Sequence, residues 1–244
     1  MRHRILIHLC LLMLLPTGAA ATPQTTLQQL HLSLEASLGD FYLLYGVDPD
    51  PRHGNSLTQH LARGDRQLQQ LSPLDTPEQL ALRQAWDDYR HLLDELSTRL
   101  QQGQDLQGSA IASLIERKRR VQGLCQQLAA DPLAPGQPLQ LALQLQSLAS
   151  DYIAHSIGAN ALGGAGSTPD EQSRAFAEAL RQLQHQRADK PEQRQRLQAI
   201  ARKWRYIEPA LLNYRHATVP SLVQRYTTAM VAELGQLQDP DPVP

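Results

Sequence analysis

Apolar residues recur at steps of three and four along nearly the whole chain, and that spacing predicts helices. The clearest segment places Leu82, Trp86, Tyr89, Leu93, Leu96 and Leu100 on one stripe. A later segment repeats it with Leu197, Ile200, Trp204, Ile207, Leu211 and Tyr214. Other stripes come in pairs too. Leu27, Leu30, Leu34, Leu38, Phe41 and Tyr45 correspond to Leu141, Leu145, Leu148 and Tyr152. Leu57, Leu61, Leu68 and Leu71 correspond to Phe176, Leu180 and Leu183. Ile111, Leu114, Val121, Cys125 and Leu128 correspond to Val219, Leu222, Tyr226, Met230, Leu234 and Leu237. No sustained alternation of β-branched residues predicts a strand. The expected fold is all-α: tandemly duplicated antiparallel four-helix units, about eight helices in a bundle.

Short landmarks repeat in the same order. Ser37-Leu38-Gly39-Asp40-Phe41 is echoed by Ser147-Leu148-Ala149-Ser150-Asp151-Tyr152, and Pro77-Glu78-Gln79 before Trp86 by Pro191-Glu192-Gln193 before Trp204. Ser113-Leu114-Ile115-Glu116-Arg117 is echoed by Ser221-Leu222-Val223-Gln224-Arg225. The expected repeats are residues 22–135 and 136–238, followed by a Pro-rich tail, 239–244. Breaks fall at Asp48 to Asn55, Gly103 to Gly108, Asp131 to Pro138 and Gly163 to Pro169. Whether the repeats form two bundles or one merged array is not set by this pattern.

The first 21 residues read as an export signal. Arg2 and Arg4 precede an apolar run from Ile5 to Leu15, then Pro16-Thr17-Gly18 and the small residues Ala19-Ala20-Ala21. The run is about half of the roughly 20 residues that span a bilayer. Cleavage near Ala21 predicts a periplasmic or secreted protein with no transmembrane segment in the mature chain. It leaves 21 basic against 24 acidic residues, a net charge of about −3. That balance argues against nucleic acid as a partner. Cys125 is then the lone cysteine, which excludes an internal disulfide.

Candidate chemistry is sparse. No His-x-x-x-His or Glu-x-x-His pair places two metal ligands on one helical face. Asp48, Asp50, His53 and His60 could meet a metal, but a proline-held capped turn explains the first three. No nucleophile motif is present, and the glycines at 163–166 lack the strand and Lys-Ser/Thr of a phosphate loop. His155 falls on an apolar stripe and reads as a core histidine with one partner. Asp40 and Asp151 read as solvated or boundary acids, or as ion-pair partners of Arg117 and Arg225. Glu116 to Arg120 reads as a solvated face or a docking surface for an acidic partner, with Lys118 snorkelling from an inner position. Trp86 and Trp204 read as core anchors, or as a ligand platform if exposed. Neither catalytic residues nor a cofactor or metal site is expected.

Asp40-Phe41-Tyr42-Leu43-Leu44-Tyr45-Gly46, and Trp204-Arg205-Tyr206-Ile207-Glu208 leading into Val219-Pro220-Ser221-Leu222-Val223, resemble the helical extracytoplasmic sensor module of type IV pilus-linked chemotaxis transducers. The Arg-rich segment of that family is absent from the first helix, which reads Leu32-Ser33-Leu34-Glu35-Ala36-Ser37-Leu38. A signalling domain is also absent. The resemblance implies a free-standing relative that binds or senses something, with no ligand residues carried over. The expected function is therefore non-catalytic binding of a partner protein or small ligand, in envelope sensing or assembly. The alternative is a metal-handling protein or enzyme built on the bundle.

Overall fold

The computed structural model describes residues 22–47, 50–71, 76–129, 137–162, 167–216 and 218–237. The export segment, the 239–244 tail, Asp48 and the 163–166 glycines lie outside them. Eight α-helices form the described fold: α1 Pro23–Gly46, α2 Pro51–Gln70, α3 Pro77–Gln101, α4 Gly108–Leu128, α5 Pro138–Ser156, α6 Pro169–Gln186, α7 Pro191–Leu212 and α8 Pro220–Gly235. A short 3-10 turn, Ala159–Leu162, follows α5. There is no strand among the described residues.

Proline opens every helix except α4. At a first turn its fixed φ suits the helix, and its missing N–H would have been unpaired anyway. Thr76 and Gln79 add a reciprocal capping box to α3, as Thr168 and Glu171 do to α6. The expected break at 48–55 is shorter than the sequence suggested. Asp50 caps α2 by accepting from the Arg52 N–H at 2.8 Å, so His53 to Asn55 are already helical.

The paired stripes become the core. Leu82, Trp86, Tyr89, Leu93 and Leu96 are buried on α3, as are Leu197, Ile200, Trp204, Ile207 and Leu211 on α7. Buried apolar residues of all eight helices form one cluster. The four-helix sets therefore share a single core rather than two separate ones.

Their junction is α1 against α5. Gly39 faces Ser150, and Gly46, seven residues on, faces Ile157, also seven residues on. The two helices thus run in the same direction, which settles how the two sets meet, a point the sequence pattern left open. Within each set the antiparallel arrangement holds. Ser33 meets Gln67 across α1 and α2, while Asp40 meets His60. Likewise Lys203 meets Glu233 across α7 and α8, while Tyr206 stacks on Tyr226. Neighbour relations also match: α1 packs on α2 and α4, and α5 on α6 and α8.

α8 departs from the expected stripe. Its buried face is Pro220, Val223, Gln224, Thr227, Met230 and Leu234. Val219 is exposed, and Leu222 and Tyr226 are only half-buried. The helix is turned by about one position because it packs a polar pair, Gln224 and Thr227, into the interior beside α1 and α5.

Candidate functional site

α1 has no polar face. Every residue from Ser33 to Leu43 is buried, because α2, α4, α5 and α8 surround it. Its polar side chains must therefore find partners inside, since an unpaired buried charge is costly. Two carboxylates dominate this interior.

Glu35 is 1% exposed. Lys118 reaches in from α4 to place Nζ 2.6 Å from Glu35 Oε1, and His31 Nε2 lies 3.4 Å from the same oxygen. Burial alone would push the Glu35 carboxyl up. The Lys118 ammonium and His31 outweigh it and hold the carboxyl at about 2. Lys118 is thus not a snorkelling surface residue but the inward partner of a buried acid. The rest of the charge run faces outward or sideways.

Asp40 is also 1% exposed, which corrects the solvated or boundary reading. Gln224 on α8 donates to its Oδ1 at 2.9 Å. His60 on α2 lies 3.5 Å from Oδ2, with Ser56 alongside. Burial raises this carboxyl to about 6, against the hydrogen bonds from Ser56 and Gln224 and the field of His53. His60 is pushed down to about 4 by burial and by nearby Arg63. At neutral pH the pair is therefore a carboxylate beside a neutral imidazole. Asp151 is half-buried, accepts from Gln172 of α6 at 2.7 Å and is raised, chiefly by burial.

Neither aspartate pairs with the recurring arginines. Arg117 donates to the Asp88 carbonyl at 2.7 Å, tying α4 to α3. Arg225 lies over the Tyr226 ring, 5.4 Å from its centroid. The ion-pair reading fails because the α4 cation that reaches the centre is Lys118. Arg117, one residue back, points about 100° round the helix toward α3. His155 is half-buried and packs edge-on to Tyr214 at 5.0 Å rather than gaining a polar partner. Burial and Arg215 lower its pKa.

Both tryptophans are buried, so neither forms an exposed ligand platform. Trp86 donates from Nε1 to Asp65 at 2.9 Å, and its ring fills the space over Gly64. Trp204 packs on Phe176 at 4.5 Å, with its Nε1 unpaired.

The Asp40 region opens onto a cleft of about 520 Å³ between α1, α2, α5 and α8. His60 and Ser56 line it, joined by Arg63, Arg66, Gln67 and Gln146. No carboxylate lines this cleft. Arg63 and Arg66 stand one turn apart at its rim, exposed, and neither joins an ion pair with a described acid. At the floor, Gln146 is 2% exposed and its Nε2 has no hydrogen-bond partner. Gln224 Oε1 is likewise buried and unpaired, and both amides border Gly39. A Cβ at Gly39 would sit 3.1 Å from Ser150 Oγ, so glycine lets these groups converge. The arrangement can hold a hydrogen-bonding molecule. Among the described residues no group of three His, Cys, Asp or Glu is placed to hold a metal ion, and Asp50 serves as a cap.

Sequence reasoning missed Glu35, Gln146 and Gln224. A signal for Glu35 existed: it is the one charge between Leu32 and Gly39 in a helix whose other residues there are apolar or small. The glutamines gave none, since the chain is rich in them. No helix of the described residues is long and apolar enough to cross a membrane. No family model matches this chain, and no match is found among curated proteins or solved structures.

Proposed function

We propose that this chain is an exported, non-catalytic helical-bundle protein that binds a small polar ligand in the cleft between α1, α2, α5 and α8. The observation that carries this reading is Gln146. A buried amide donor left unpaired costs about 1–3 kcal/mol. Here it faces a cleft whose rim carries two guanidiniums free of acid partners. A ligand with acceptor oxygens would satisfy both. The cleft volume falls within the roughly 300–1,000 Å³ of small-molecule sites. A sensing or assembly role in the envelope fits the export signal and the resemblance of the first and seventh helices to chemotaxis sensor modules.

Native mass spectrometry of the protein taken from its own cells tests the reading. A small molecule of defined mass should accompany the wild type and be lost from Gln146→Leu and from the Arg63→Gln/Arg66→Gln double variant. A bound mass that survives all three changes would place the ligand elsewhere. The same spectra test export: the mature chain should begin near Ala21 or Thr22, and a mass retaining residues 1–15 would mean an anchored protein.

A further inference from the structure

A second pocket, of about 470 Å³, lies on the other flank of α1, enclosed by α1, α4 and α5. It shares no lining residue with the cleft described above. Leu27, Leu143 and Cys125 give it an apolar wall. Gln28, Gln144 and His31, with Gln126, Gln140 and Ser147, give it a polar edge. Among the described residues the lining contains no Asp, Glu, Lys or Arg.

The polar edge is incomplete. The side-chain oxygens of Gln28 and Gln144 are both buried with no hydrogen-bond partner. His31 Nε2 is buried too, and its nearest acid, Glu35, lies 3.4 Å away and is already held by Lys118 at 2.6 Å. Two carbonyl acceptors on different helices of this pocket's lining thus have no hydrogen-bond partner. An isolated charge in such a space would lose its hydration with no counter-ion to replace it. An uncharged molecule would lose little, and its apolar part would gain by leaving water.

We infer that this pocket is a second binding site, for an uncharged compact molecule that carries an N–H or O–H donor on an apolar body. The donor bonds the Gln28 and Gln144 carbonyls. The body lies against Leu27, Leu143 and Cys125.

Matched probes test this in the full-length protein: phenol against anisole, and indole against 1-methylindole, titrated by calorimetry. Each pair keeps the apolar body and removes only the donor. Phenol and indole should bind about tenfold more tightly than their methylated partners, the scale of one hydrogen bond to a group otherwise left unpaired. Gln28→Leu/Gln144→Leu should erase that ratio while leaving the melting temperature unchanged or higher, because it removes orphaned polar groups. Ser147→Phe, which fills the pocket, should abolish binding of all four. Binding of neither donor-bearing probe, equal affinity within both pairs, or affinity indifferent to Ser147→Phe would each overturn the site. Tighter binding of benzoate or benzylamine than of phenol would overturn its preference for an uncharged molecule. None of these outcomes depends on Gln146, Arg63 or Arg66, so the two clefts stand or fall separately.

Discussion

Glu35 on α1 and Gln146 on α5 hold corresponding places, counted from the Gly39–Ser150 and Gly46–Ile157 contacts. Their helical neighbours correspond as well. α4 turns inward Leu114, Ile115, Lys118, Val121 and Cys125. α8 turns inward Val223, Gln224, Thr227, Met230 and Leu234 at the same spacing. At the shared position the first set has a lysine that neutralises Glu35. The second has Thr227, whose hydroxyl is unpaired, beside Gln146 and Gln224, whose amides each leave one atom unpaired. One set holds a charge pair at its centre, with Glu35 Oε2 still lacking a hydrogen-bond partner. The other leaves neutral hydrogen-bonding capacity open next to a cleft. Chains of one architecture can therefore divide the work: one half holds the interior together, and the other keeps groups available.

The largest test of that contrast is Lys118→Met. Removing one partner of a buried pair strands the other charge, at about 3–5 kcal/mol. Chemical denaturation should show that loss, and Glu35→Gln/Lys118→Met should recover most of it. Thr227→Val, the matching change in the second set, should move stability by less than about 1 kcal/mol or raise it.

Acid should separate the two carboxylates of α1 next. Glu35 has a folded pKa of about 2 against an ordinary 4.5, so its contribution is complete above pH 4.5 and is lost as pH falls toward 2. That loss is on the order of 3 kcal/mol. Asp40 works in the opposite sense. Its carboxyl is raised to about 6, so its burial is least costly below pH 3.8 and weakens the fold as pH rises from 3.8 to 6. Melting temperatures across pH for wild type, Glu35→Gln and Asp40→Asn should lose each slope in turn. An unchanged acid slope in Glu35→Gln would break the first assignment.

The tryptophans sharpen the comparison at smaller scale. A Cβ at Gly64 would fall 2.1 Å from Trp86 Cζ2, so Gly64→Ala should cost about 1–3 kcal/mol through displacement of the ring. Smallest of all, Trp86→Phe should cost about 1 kcal/mol more than Trp204→Phe. Only Trp86 has a hydrogen-bond partner, Asp65, and equal losses would mean that bond contributes nothing.

Much of the fold was legible because α2, α3, α6 and α7 each bury one face, and a one-faced helix writes its period into the sequence. Leu82 to Leu96 and Leu197 to Leu211 are such cases. α1 was not legible in the same way. Buried all round, it has no period to read, so assigning it a single stripe sent Asp40 wrongly to the surface and left Glu35 without a role. Lys118 was recognised as inward by position, but its partner was not. A lysine on an apolar stripe asks for a buried acid, and Glu35 was the acid set among Leu, Ser and Ala. The cleft was beyond reading, because Gln146 and Gln224 become distinctive only where the turned α8 meets α5. Tyr226, expected on the inner stripe of α8, is only half-buried for that reason.

The enclosure of α1 also has a consequence for the order in which the chain is made. Its interior bonds join Glu35 to Ser150 across 115 residues and Asp40 to Gln224 across 184. The first described helix is completed by the last described one. Until α5 and α8 emerge, α1 has only α2, α3 and α4 to pack against. Contacts so distant in sequence make for slow closure. α1 accordingly stays incompletely packed until α8 has been made, and a product truncated before α8 should be degraded rather than accumulate as a folded half.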